Sequence, residues 1–107
     1  MWKENDKIIN LLNESTLLSS PYPQKCPECN KESVHVYLHR FDEQDEIGAA
    51  WIWCSECHSY SHVRYKIPSV WKNCNSIDEE QLDSIPEYLD QHSKNIDQHV
   101  NQFIRND

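Results

Sequence analysis

Two Cys-x-x-Cys pairs constrain this chain more than any other feature: Cys26 and Cys29 in "CPEC", and Cys54 and Cys57 in "CSEC", with 24 residues between them. A tight turn with cysteine at both ends points two sulfurs at one spot. Two such turns brought together by a hairpin complete a tetrahedron of thiolates, the arrangement that holds structural zinc. Four sulfurs leave no open coordination position. One Zn²⁺ is therefore expected, serving folding rather than catalysis. The competing reading is two unrelated pairs of buried or redox cysteines. A thioredoxin-like pair would sit in a strand–helix–strand setting, and the sequence offers none.

The turns also carry suitable backbone chemistry. The residue after the second cysteine of such a turn often needs a positive φ, and glycine usually supplies it. The only glycine here is Gly48. Asn30 and His58 stand in those places, and both residue types tolerate positive φ. His58 thus reads as a turn residue rather than a ligand.

At 107 residues and 37% hydrophobic, the chain is expected to form one domain with a lean core. Such a chain commonly needs a staple. Its N-terminal stretch, "MWKENDKIINLLNES", is too charged for a secretory signal, and no apolar run reaches membrane-spanning length. The expected location is cytoplasmic, where thiols stay reduced and clustered cysteines point to metal.

Three segments follow. Residues 1–22 hold an N-terminal helix, read over 3–18 from Ile8, Ile9, Leu11, Leu12 and Leu18, and a linker broken by Pro21 and Pro23. Residues 23–72 hold the cysteine pairs and three strands. In "SVHVYLHRF", Val34, Val36 and Leu38 share one side, and His35, Tyr37, His39 and Phe41 the other. "IGAAWIW" returns after the polar turn "DEQDE", and "YSHVRYKI" makes the third strand, ended by Pro68. Residues 73–107 read as acidic helices, with capping-box signatures at Ser76/Glu79 and Ser84/Glu87. Ile85, Tyr88, Leu89, Ile96, Val100, Phe103 and Ile104 recur there at helical spacing. The expected class is α+β: a small three-stranded sheet flanked by an N-terminal helix and C-terminal helices.

"CPECN" and "WIWCSECHSY" resemble a zinc ribbon, a fold family spread across transcription factors, ribosomal proteins and adaptor domains. The matching positions are Cys26, Cys29, Cys54 and Cys57, and the likeness covers about half the chain. It departs from the common pattern in lacking glycine after each pair. More loosely, "GAAWIWCSECHSYSHVRYKIPSVW", the size and the charge resemble small acidic bacterial zinc-ribbon proteins associated with toxin–immunity loci. That resemblance implies a toxin-like protein partner. Ribbons serve many functions, so the fold alone names none.

The formal charge is −8. It argues against broad attraction to nucleic acid or anionic lipid and suits a basic protein partner. Residues 73–107 hold eight acids against Lys94 and Arg105. Asp78, Glu79, Glu80, Asp83, Glu87 and Asp90 run without a base among them, and form the candidate partner surface. The plainer reading is a solvated helix face. The leading expectation is a non-enzymatic binding module, in its sharpest form an immunity protein occupying a toxin's cationic active site. The alternative is a nucleic-acid- or transcription-associated ribbon using Arg40, Arg64 and Lys66 beside Trp51, Trp53, Tyr60 and Tyr65. Against that, a lean chain needs its aromatics inside. A third class is an enzyme using Cys74 or histidines among His35, His39, His58, His62, His92 and His99. No H-E-x-x-H motif occurs, and Lys25 before Cys26 breaks the zinc-deaminase signature. Oligomeric state is not encoded in any motif.

Overall fold

The structure, a computed structural model, describes residues 1–12, 21–42, 44 and 46–104. It is an α+β arrangement of a five-stranded sheet and two α-helices. The strands are β1 (Lys3–Glu4), β2 (Gln24–Lys25), β3 (Glu32–His39), β4 (Ile47–Cys54) and β5 (Ser59–Lys66), in the order β1-β5-β4-β3-β2. β2 through β5 pair antiparallel, while β1 runs parallel to β5. The helices are α1 (Glu87–Gln91) and α2 (Ser93–Asn101).

Register decides which side chains share a face. His35 stands opposite Trp53, and Tyr37 opposite Trp51, which in turn faces His62. These lie on one face; Val34, Val36, Leu38, Ile52 and Tyr65 lie on the other. The C-terminal segment covers the first face. Asp97 of α2 meets His35, Asp90 of α1 accepts from the Trp53 indole at 3.1 Å, and the Asp83 carbonyl accepts from the Trp51 indole at 2.7 Å. The N-terminal segment packs the second face, where the Tyr65 hydroxyl donates to the Leu12 carbonyl and Ile8 and Leu12 are buried. Seven of the eight residues in each of β3 and β4 are consequently buried. The alternation that the sequence suggests for β3 is present, but its histidine-bearing side is as enclosed as its valine-bearing side. Phe41 lies beyond β3 and is exposed. Each large apolar side chain enclosed this way contributes roughly 2–3 kcal/mol.

Two expectations about helices are corrected. The segment read as a helix from residue 3 begins instead with β1, followed by a 3₁₀ helix over Asp6–Leu12. Its remainder, including Leu18, lies outside the described residues. Strand pairing overrides the helical pattern: the Lys3 amide donates to the His58 carbonyl at 2.8 Å, and the Asn5 amide to the Tyr60 carbonyl at 2.9 Å. The Asn5 side chain then accepts from the Lys7 amide, starting the tighter turn.

At the other end, Ser76 caps no helix. Its hydroxyl lies 3.0 Å from the Cys74 sulfur, and Asp78 caps a single 3₁₀ turn, Glu79–Gln81. Ser84 is not a helix cap either. α1 starts at Glu87 behind Pro86, without a side-chain cap, and Ile85 lies ahead of it, exposed. The helical spacing read from Ile85 to Ile104 is interrupted at His92, whose φ of −114° and ψ of 20° leave the helical region. Leu89, Ile96 and Val100 still reach the core. Asn101 closes the layer against the chain before β2, donating to the Tyr22 carbonyl and accepting from its amide.

Arg40 holds the loop after β5. Its guanidinium donates to the carbonyls of Pro68 and Trp71, and Asn73 makes two hydrogen bonds with the Arg40 backbone.

Candidate metal centre

Both cysteine turns are built by the same local geometry. The Asn30 amide donates to the Cys26 carbonyl at 2.9 Å, and the His58 amide to the Cys54 carbonyl at 3.0 Å. Asn30 has φ 64° and His58 φ 60°, the left-handed conformation expected of them. Amides of Glu28 and Cys57 point at Cys26 Sγ and Cys54 Sγ, each at 3.4 Å. β2–β3 carries the first turn and β4–β5 the second, and the Val34–Cys54 register brings them together.

The sulfurs of Cys26, Cys29, Cys54 and Cys57 all lie within 4.8 Å of one another. Cys26 Sγ is 3.7 Å from Cys57 Sγ, and Cys29 Sγ 3.6 Å from Cys54 Sγ. A tetrahedron with zinc–sulfur bonds of about 2.3 Å puts its sulfurs roughly 3.8 Å apart. Disulfides would require about 2.05 Å. The donor set and spacing therefore fit one tetrahedral ion of the zinc type, and the four residues can hold a metal ion. Cys26 and Cys54 are buried, Cys29 and Cys57 half-buried.

The surroundings favour thiolate unevenly. Burial pushes the Cys26 thiol up to about 12 and raises Cys54. Burial acts on Cys57 too, but hydrogen bonds from the Ser59 hydroxyl and amide and from the Cys54 and Cys26 thiols outweigh it, bringing that thiol to about 7. The Ser33 hydroxyl lies 2.9 Å from Cys54 Sγ, and the Ser59 hydroxyl 3.3 Å from Cys57 Sγ. Bound thiolates would accept from both, which spreads their charge. At neutral pH, Cys26 and Cys54 must each shed a proton to bind metal. Zinc affinity is accordingly expected to rise by about two or more log units per pH unit near neutrality. Competition titrations against a chromophoric chelator across pH check this; a flat profile would contradict it.

The histidines are placed elsewhere. His35 Nδ1 meets both carboxylate oxygens of Asp97, at 2.8 and 2.9 Å, with both side chains largely buried. His39 lies between the Tyr37 hydroxyl at 3.2 Å and Glu79 at 3.4 Å. His58 stacks under Trp2, with ring centres 4.4 Å apart, and His62 stacks on Trp51 at 4.5 Å. His92 meets the Tyr88 carbonyl, and His99 the Lys72 carbonyl. Cys74 is buried beside Ser76. Asp97→Ala would leave the His35 ring without its buried partner. A loss of about 2 kcal/mol is expected, with Asp97→Asn costing less. Urea midpoints of the two variants measure it.

The acidic run is split in use. Asp90 accepts from Trp53 and, at 2.6 Å, from the Ser55 hydroxyl, so it anchors α1 to the second cysteine turn. Asp78 is a cap and Glu79 pairs with His39. Glu80, Asp83 and Glu87 are exposed. Of the aromatics read as a stacking platform, Trp51 and Trp53 are buried, and Tyr60 and Tyr65 half-buried. Arg40 is committed to carbonyls, while Arg64 and Lys66 are exposed.

Sequence reasoning missed Asp97, Ser33 and Ser59. Ser59, two residues after Cys57, was within reach of a local reading; Asp97 meets a residue 62 positions away and carried no local signal. Among the described residues, no helix is long and apolar enough to cross a membrane. No protein-family model matches the chain, and neither a curated protein nor a solved structure shows significant similarity to it.

Proposed function

We propose that the chain is a zinc-stabilised, non-enzymatic binding module: a zinc ribbon with Cys26, Cys29, Cys54 and Cys57 as ligands of one structural Zn²⁺. Its partner is a basic protein met through an acidic surface. The observation that carries the metal half is the cluster of four sulfurs at tetrahedral spacing. Support for the docking half is the formal charge of −8 together with exposed Glu80, Asp83 and Glu87 on one short segment. In its sharpest form the module is an immunity protein that fills a toxin's cationic active site. Opposed potentials would speed encounter, and association would weaken with salt.

Affinity purification of the tagged protein at low and high salt, with and without nuclease, supplies the partner. A single basic protein retained after nuclease treatment is the expected result. Reversing Glu80 and Glu87 to lysine, which leaves the Asp78 cap, the Glu79–His39 pair and the Asp90 anchor intact, should then slow association by about tenfold at low salt. Unchanged association kinetics would remove the docking half without touching the metal half. A nucleic-acid role retains only Arg64 and Lys66 of its proposed cations, with both tryptophans enclosed. Nuclease-sensitive recovery would revive it.

A further inference from the structure

The C-terminal cover does not extend over the whole first face of the sheet. At the hairpin end, Phe41 is 57% exposed and Ile47 52% exposed. Between them and β5 runs a groove of about 480 Å³, floored by Ala49 and walled by Phe41, Ile47, His62 and Arg64. Ala49 offers too little side chain to fill it, and Gly48 contributes only backbone.

Carboxylates adjoin the residues that line this groove. Asp42 and Glu46, both exposed, adjoin Phe41 and Ile47 in sequence. Glu79 is held by His39, whose ring packs edge-on against Phe41 at 4.9 Å. Asp83 is placed beside His62 through Trp51, whose indole donates to the Asp83 carbonyl and stacks on the His62 ring. The nearby cations are Arg64, Lys66, which stands opposite Ile47, and Arg40, which adjoins Phe41 but donates to the Pro68 and Trp71 carbonyls. Two large apolar side chains in water beside a groove make a site where burial against a partner releases free energy, and such anchors carry most of an interface's affinity. The acids set which partner can approach.

We propose that this groove receives an aromatic or branched aliphatic side chain from a basic partner segment, with lysines or arginines on either side of that anchor meeting Asp42, Glu46, Glu79 and Asp83. The inference rests on the binding-module reading and says where its anchor sits. Arg64 is left to donate to main-chain carbonyls of the segment. A second copy of this chain is a poorer occupant, because each copy brings the same charge of −8 and the same acidic rim. Anionic membranes and nucleic acid meet the same repulsion.

The test uses the zinc-loaded full chain, ¹⁵N-labelled, at low salt. Three synthetic peptides are titrated in: a lysine-rich one with a central tryptophan, the same peptide with serine at the centre, and a glutamate-rich one with the tryptophan. The first should shift the amides of Ile47, Gly48, Ala49 and Arg64. The serine peptide should bind about tenfold more weakly, as should the first peptide to Ile47→Ser or Phe41→Ser. Both variants change exposed side chains, so their folds should be unaltered. Shifts confined to Glu80 and Glu87, indifferent to Ile47→Ser, would overturn the groove and leave the acidic docking surface standing. No response to either lysine-rich peptide, or a stronger response to the glutamate-rich one, would overturn both. Groove shifts that grow with protein concentration alone would assign the site to a second copy and overturn the proposal.

Discussion

Removing the metal with a strong chelator at neutral pH is expected to unfold the protein. The four sulfurs join β2–β3 to β4–β5 at one end of the sheet, and their burial keeps Cys26 protonated without an ion. Structural zinc sites of this type contribute on the order of 10 kcal/mol. That is comparable with the whole net stability of a small domain, about 5–15 kcal/mol. The lean composition leaves little to replace it. Near-ultraviolet circular dichroism should collapse on chelation, since Trp53 and Trp51 stand on the strand that ends in Cys54. Zinc should restore the signal, and elemental analysis should find one ion per chain. Cys54→Ser should behave as the chelated protein does. A chelated chain with an unchanged spectrum and melting temperature would mean that the thiols pack without metal, and the structural role would be lost. Iron in place of zinc would keep the geometry and change the colour.

The second large effect is expected from Gly48→Ala. Inside a strand, alanine is ordinarily an improvement on glycine, because it restricts the unfolded chain. Here the position has no room. A Cβ on residue 48 would run into the His39 carbonyl and meet Ile67 Cγ1 at 3.0 Å. The carbonyl belongs to the backbone and cannot rotate aside. β3 and β4 would have to separate where their register ends at His39–Ala49. A loss of about 3 kcal/mol is expected, or roughly 15 °C in melting temperature for a domain of this size. Thermal melts of the zinc-loaded variant check it, and an unchanged or raised midpoint would refute the steric reading.

What the sequence conveyed, and what it concealed, follows the range of the interactions. The cysteine turns are local, so spacing exposed them, and the left-handed Asn30 and His58 followed from the lack of glycine. The three long strands were equally apparent, since β-branched and aromatic residues run between clear turn signals. The N-terminal residues misled because Ile8 and Leu12 have helical spacing, while the neighbouring Lys3 and Glu4 answer to an edge of β5 more than fifty positions away. Ser76 and Glu79 formed a capping signature that the backbone does not use, because Asp78 satisfies the turn first. The acidic run looked uniform, and only tertiary contact separates Asp90, which serves two tethers, from exposed Glu80 and Glu87. Polar partners distant in sequence, such as Asp97 for His35, leave no periodicity to read.

The covering of Trp51 and Trp53 by residues 83–90 has a consequence for synthesis on the ribosome. Strands β3, β4 and β5 are neighbours in sequence and can pair as soon as they emerge. The hydrogen-bond partners of their tryptophans come about thirty-two and thirty-seven residues later, and the Asn101–Tyr22 clasp spans 79. Elongation at about 5–20 residues per second leaves an aromatic sheet face bare for seconds in every nascent chain. The last third of the protein therefore doubles as a lid that arrives late, and chains that stop short of it would present that face to chaperones and to one another.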